Sequence, residues 1–132
     1  MRYEINEIPV SWKAHQGSGR RSYNPRQKEQ DKAKWALKAQ HGSQSLIGYP
    51  VRVDIFFEMP IPKHLTKKYL ERIARGEKIW HITRPDLDNL RKFASDTLIG
   101  TVLTDDNAIS CGETQKYYSQ TPKTIFHIQR LE

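Results

Sequence analysis

Tyr49-Pro50-Val51-Arg52-Val53-Asp54-Ile55-Phe56-Phe57-Glu58-Met59 alternates apolar and polar side chains from Val51 onward. Successive side chains of a strand point to opposite faces, so Val51, Val53, Ile55 and Phe57 fall on one side. The run reads as a half-buried strand, closed by Pro60 and Pro62. One apolar face needs a covering layer, and the flanking segments have the periodicity of helices.

Upstream, residues 2–10 read as an opening strand that Pro9 ends. Residues 13–25 mix Gly17, Gly19, Ser18, Ser22 and Pro25 with basic side chains and read as a loop. Asn24-Pro25 has the form of an N-cap followed by a first-turn proline, which predicts a helix running to about residue 40 and ended by Gly42 and Ser43. Downstream, Thr66 caps a short helix over about 67–75, ended by Gly76. A further helix begins near Asp86 and ends before Gly100, with Leu87, Leu90, Ala94 and Leu98 on its core face. Residues 101–103 read as a short extended piece, and Asp105-Asp106-Asn107 as a turn. Residues 108–118 and 123–130 read as two final strands, joined as a hairpin through residues 119–122. The sum is an α+β fold: one domain over residues 1–132, with a mostly antiparallel or mixed sheet and helices packed over one face.

Composition narrows the function. One cysteine, Cys111, excludes an internal disulfide, and no Cys-x-x-Cys motif exists. The five histidines are scattered without ligand spacing, which argues against structural zinc. No run approaches the roughly 18–20 apolar residues of a membrane helix, and the N-terminus lacks a signal-peptide pattern. The expectation is a soluble protein of the reducing cytoplasm. Lys and Arg number 22 against 15 Asp and Glu, a net charge of +7. Between Lys13 and Lys38 eight basic residues stand against Glu29 and Asp31, so this segment holds most of the surplus. A concentrated positive segment points to a polyanion, most often nucleic acid.

The acids gather elsewhere, in Arg84-Pro85-Asp86-Leu87-Asp88-Asn89-Leu90-Arg91-Lys92 and in Asp105-Asp106. Asp88 and Lys92 are four residues apart and share a helix face turned away from the leucine stripe. As N-cap, Asp86 has a carboxylate free to turn toward Asp88. A short return strand would bring Asp105-Asp106 back beside them. Grouped carboxylates repel one another and raise each other's pKa, and a divalent cation relieves this. Mg²⁺ takes hard oxygen ligands and serves phosphodiester hydrolysis. The same residues have a plainer reading as a helix-dipole response, a solvated ion pair and an ordinary turn. The common Pro-Asp…(Asp/Glu)-x-Lys nuclease signature is met only in its first half, because no later acid is followed two residues on by lysine.

The run Asp86-Leu87-Asp88-Asn89-Leu90, with Lys92, Asp96 and Asp105-Asp106 after it, resembles the RusA family of Holliday-junction resolvases. The close match covers about residues 83–110. The resemblance implies a homodimeric, Mg²⁺-dependent endonuclease, with Mn²⁺ able to substitute, that nicks branched DNA (four-way junctions) symmetrically in recombination and repair. Residue by residue, Asp86, Asp88 and Asp106 match the family's metal-binding acids. Asp105 matches the less critical member of the pair, and Lys92 the essential lysine. The interval from Asp96 to Asp105 is about one residue shorter than in the best-known member, and the segment around Lys67–Trp80 is longer. Phosphate contacts fall to Lys13, Arg20, Arg21, Arg26 and Lys28, with Lys67, Lys68 and Arg72 as a second patch. Trp12, Tyr23 and Trp80 are candidates for stacking on unpaired bases. Two other readings stay open: a non-catalytic basic nucleic-acid-binding module, and a Mg²⁺ nuclease for other branched DNA or RNA.

Overall fold

In the computed structural model, which describes residues 1–132, strand β2 (Val51–Pro60) runs through the middle of a five-stranded sheet. The alternation holds along its length. Val51, Val53, Ile55, Phe57 and Met59 are each at most 4% exposed, while the side chains between them are half-buried on the opposite face. Strand β5 (Lys123–Arg130) pairs antiparallel with β2 and sets Ile128 beside Val53 and Phe126 beside Ile55. Strand β1 (Arg2–Ile5) adds antiparallel to β5. On its other edge β2 meets two short parallel strands, β3 (Ile109–Cys111) and β4 (Thr114–Ser119). The fold is thus the expected α+β type, with a mixed sheet.

The tail does not form the expected hairpin. β2 lies between β4 and β5, and Ser119–Pro122 carries the chain past its end. Alternation identifies strands but not their partners. A local hairpin would have left one edge of a ten-residue strand unpaired, and open edges are costly for a sheet. The tail is also split in two. Gly112 has φ 153°, and a Cβ there would lie 1.8 Å from the Val53 carbonyl oxygen. Only glycine allows this close approach. Just beyond it, Glu113 donates its N–H to Asp54 Oδ1 (2.8 Å) and accepts from Ile55 N–H (2.9 Å), which restarts the pairing.

Helices α1 (Gln27–His41) and α3 (Leu87–Leu98) cover the apolar face, contributing Ala33 and Leu37, and Leu90, Ala94 and Leu98, to one hydrophobic cluster. α1 starts later than expected. Asn24 Oδ1 accepts Arg26 N–H (2.9 Å) and its amide donates to Gln30 Oε1 (2.8 Å), so Asn24 closes a turn ahead of the helix rather than capping it. Helix α2 (Thr66–Ala74) follows a 3₁₀ turn over Lys63–Leu65. The Thr66 hydroxyl donates back to the Pro62 and Lys63 carbonyls (3.0 and 2.8 Å), so it belongs to that turn and is no N-cap. Tyr69 moors α2 by stacking on Tyr118, ring centroids 5.0 Å apart. β1 ends at Ile5, well short of Pro9, where its pairing with β5 stops. No helix is long and apolar enough to cross a membrane.

Phe57 is 1% exposed at the centre of this arrangement. Phe57→Ala should cost about 3–5 kcal/mol through reduced burial and a residual cavity. Phe56→Ala, on the half-buried face of the same strand, should cost only about 1 kcal/mol. Urea unfolding of the two variants, at constant m-value, measures the contrast.

Candidate active site at the mouth of helix α3

The segment that delivers the acids is fastened to the sheet before it turns. Residues 79–81 run antiparallel along the outer edge of β4: Tyr118 N–H donates to the Ile79 carbonyl (2.9 Å) and His81 N–H to the Lys116 carbonyl (3.2 Å). After a turn through residues 82–85 the chain enters α3. Asp86 is the N-cap, with extended backbone and a carboxylate Oδ1 that accepts Asn89 N–H at 2.9 Å. Burial of Leu90, Phe93, Ala94, Thr97 and Leu98 fixes the inner face of the helix. Asp88, Lys92 and Asp96, at intervals of four, are exposed along the outer face.

Asp105 and Asp106 sit where a 3₁₀ turn, Asp106–Ala108, begins, and Asp105 Oδ1 accepts Asn107 N–H at 2.8 Å. That bond, and then the contact with Asp106, lowers the Asp105 pKa. Asp106 is raised, first by its hydrogen-bonded contact with Asp105, then by the Asp105 charge, and more weakly by Asp96. Asp96 is two helical turns beyond Asp88, about 12 Å along the axis. No three Asp, Glu, His or Cys side chains stand grouped so that they could hold one metal ion, and of the α3 acids it is Asp96 whose charge reaches Asp106. The donor chemistry fits a divalent cation nonetheless: these are exposed hard-oxygen ligands, and at Asp105-Asp106 their mutual repulsion favours taking up positive charge.

Lys92 lies between Asp88 and Asp96 on the outer face of α3. Its ammonium lies 3.5 Å from the centroid of the Trp12 ring, and the Trp12 backbone N–H donates to the Asn89 carbonyl at 2.8 Å. Trp12, expected as a free stacking surface for bases, is thus engaged with the helix and its lysine. Trp80 and Tyr23 remain more than half exposed. Next to the helix mouth opens a cleft of about 710 Å³, bordered by Pro9, Ser11, Arg26, Arg84, Asp86 and Asn89. Arg26 is oriented there by donating Nε–H to the Ser11 carbonyl (3.2 Å).

The remaining cations divide. Lys13, Arg20, Arg21 and Lys28 are exposed, the middle two on a 3₁₀ turn within the stretch that a Gln16–Tyr23 bridge closes. Lys67 and Lys68 are exposed on α2. Arg72 makes an exposed ion pair with Glu77 (Nε to Oε2, 3.3 Å). Sequence reasoning passed over Lys116. On β4 it sits in register with Phe57, on the helix-covered side, and its Nζ donates to the Thr83 (2.8 Å) and Pro85 (2.9 Å) carbonyls just ahead of Asp86. Burial lowers its pKa, and the nearby Asp86 opposes that shift. Thr114-Gln115-Lys116-Tyr117-Tyr118-Ser119 has no apolar–polar alternation, so the sequence offered no signal for it.

The sequence pattern of the family described as endodeoxyribonuclease RusA matches residues 11–129, nearly the whole chain. The chain is also similar to the uncharacterized protein YqaN of Bacillus subtilis (strain 168), 30% identical over 95 residues. That match covers 70% of this chain and 66% of the relative, just under two thirds of its length.

Two expectations separate structural from chemical roles here. Asp86→Ala removes the cap and should cost about 1 kcal/mol, whereas Asp86→Asn keeps a capping oxygen and should melt near wild type. Thermal unfolding of both distinguishes them. Asp106 has a folded pKa above its unfolded one, so its ionised form works against folding above that pKa, and the penalty fades as pH falls through it. In metal-free buffer at neutral pH, Asp106→Asn should therefore melt at or slightly above wild type. The difference should close on acidification through the carboxylate range.

Proposed function

Because the chain belongs to the RusA family of endodeoxyribonucleases, we propose that it is a divalent-metal-dependent endonuclease that resolves four-way DNA junctions by paired symmetric nicks, in recombination and repair. The observation that carries this reading is the Asp86–Lys92 run. It lies inside the matched region, on a capped helix whose acids and lysine face outward beside an open cleft. A four-way junction is close to two-fold symmetric, so a homodimer sets one such site at each of two opposed strands. The reading places the protein in the cytoplasm.

Asp86, Asp88 and Asp106, with Asp105 beside it, are the residues that would hold Mg²⁺ or Mn²⁺, and they would have to draw together around the ion, since no three acids stand grouped without it. A bound cation of this kind lowers the pKa of a water and stabilises charge on phosphoryl oxygens. The chain's own groups do the rest. Lys92 offers a full positive charge to the phosphate, where negative charge builds during cleavage. The Trp12 face holds that ammonium by its quadrupole and leaves the charge unneutralised. Arg26 and Arg84 border the cleft and suit flanking phosphates. Lys13, Arg20, Arg21 and Lys28, and separately Lys67, Lys68 and Arg72, extend the phosphate track; Arg72 would exchange its exposed contact with Glu77 for a phosphate.

Incubation with a synthetic four-way junction and Mg²⁺ or Mn²⁺ should give paired nicks at symmetric positions. No nicking with either metal would overturn the reading, and cleavage confined to flaps or RNA within a substrate panel would redirect it. Asp88→Asn should abolish cleavage while junction binding persists, because it removes a ligand and also a charge that repels phosphate. Normal cleavage by that variant would place the site elsewhere. Removing Lys13, Arg20 or Arg21 should weaken junction binding and reduce the slope of log K against log salt by about 1 for each phosphate left unneutralised.

A further inference from the structure

Lys116 stands 24 residues beyond Lys92 in sequence, on a different element, and no motif marks it. A lysine ammonium has three N–H donors. Two of them go to successive parts of one turn, the carbonyls of Thr83 and Pro85. The Pro85 carbonyl belongs to the peptide plane that leads into Asp86, so holding that oxygen fixes where the Asp86 Cα and its carboxylate emerge. The turn has a second attachment: His81 N–H donates to the backbone carbonyl of Lys116 itself. His81 is 7% exposed, and its ring Nε2 lies 3.2 Å from the Thr83 hydroxyl. One residue of β4 thus secures residues 81–85 by its main chain at one end and its side chain at the other. Lys116 is half-buried on the side of β4 that faces the turn, and its ammonium meets two carbonyls there instead of reaching fully into solvent. An apolar residue would have served the core alone.

We propose that Lys116 is a positioning residue of the active site, whose ammonium clamps the Thr83–Pro85 turn and so holds the Asp86 carboxylate in place for the divalent cation and the scissile phosphate. The inference rests on the reading of Asp86 as a metal ligand. Lys116 acts through Asp86, not on the phosphate. Groups that orient a metal ligand from behind it typically matter 10–100-fold for affinity or activity.

The test compares wild type, Lys116→Met and Lys116→Arg. Four measurements are made: Mn²⁺ binding by calorimetry without DNA, junction binding in chelator, cleavage, and amide exchange over residues 82–89. In Lys116→Met, Mn²⁺ affinity and cleavage should each fall about 10- to 100-fold. Amide exchange of Asn89, whose N–H is bonded to Asp86, should accelerate, and metal-free junction binding should stay within about twofold. Lys116→Arg keeps donors for both carbonyls and should recover most of the loss. Unchanged Mn²⁺ affinity or unchanged Asn89 protection in Lys116→Met overturns the proposal while leaving the nuclease reading intact. An equal loss of metal-free junction binding marks a merely structural role and also overturns it. Should Lys116→Met fail to melt cooperatively, Lys116→Arg decides: wild-type Mn²⁺ affinity and Asn89 protection support the clamp, and loss of either overturns it. Wild-type protein that neither binds Mn²⁺ nor cleaves brings down the nuclease reading, and this proposal with it.

Discussion

Strand β2 satisfies its backbone on both edges, antiparallel to β5 and parallel to β3 and β4, while burying one face under α1 and α3. The rest of the molecule is placed relative to that double pairing. It fixes β4, and the outer edge of β4 then takes residues 79–81 as a further partner. Those residues set the start of the turn that ends at Asp86. A chain of backbone pairings thus runs from the central strand to the exposed acids. The acids need no packing of their own, because Leu90, Ala94 and Leu98 on the reverse of the same helix already anchor it.

What the sequence revealed followed the range of the forces involved. The alternation in residues 51–59 and the leucine stripe of α3 are local patterns, and both elements stand where they were read. The cap at Asp86 was legible for the same reason, since its partner Asn89 is three residues away. The pairing of the tail was not legible. Residues 114–119 and 123–130 look like hairpin arms, and nothing in them declares that β2 inserts between them. Asn24-Pro25 misled because an Asx turn and an N-cap use the same side chain on the same kind of neighbour. Lys116 lies 31 residues from the carbonyl of Pro85 that it binds, beyond the reach of any spacing rule. The motif residues were legible as a set, but that no three of the acids stand grouped, and that Asp96 is the α3 acid acting on Asp106, came only from the structure.

Charge is sorted by the fold in a way the composition only hinted at. The exposed face of α3 carries alternating signs, Asp88, Lys92 and Asp96, and the cleft at its mouth brings Arg26 and Arg84 up to Asp86. Opposite charges so near one another would ordinarily collapse into ion pairs. Here Lys92 rests on an aromatic ring and Arg26 on a backbone carbonyl, so neither is tied to a carboxylate. Neutral supports of this kind keep both signs available to something from outside the chain.

The connection from Pro60 to Ile79 leaves the sheet at the end of β2 and rejoins it at the edge of β4, with α2 as its main content. Both points of attachment are main-chain pairings, and the helix between them touches the core through little more than Tyr69 and Ile73. The excursion therefore behaves as an interchangeable handle. A change in its length or in its surface lysines would leave the downstream register intact, because the sheet takes hold of the chain again at residues 79–81. The excursion is thus mechanically insulated from the turn that leads into Asp86, much as a side branch is from the trunk it leaves and rejoins.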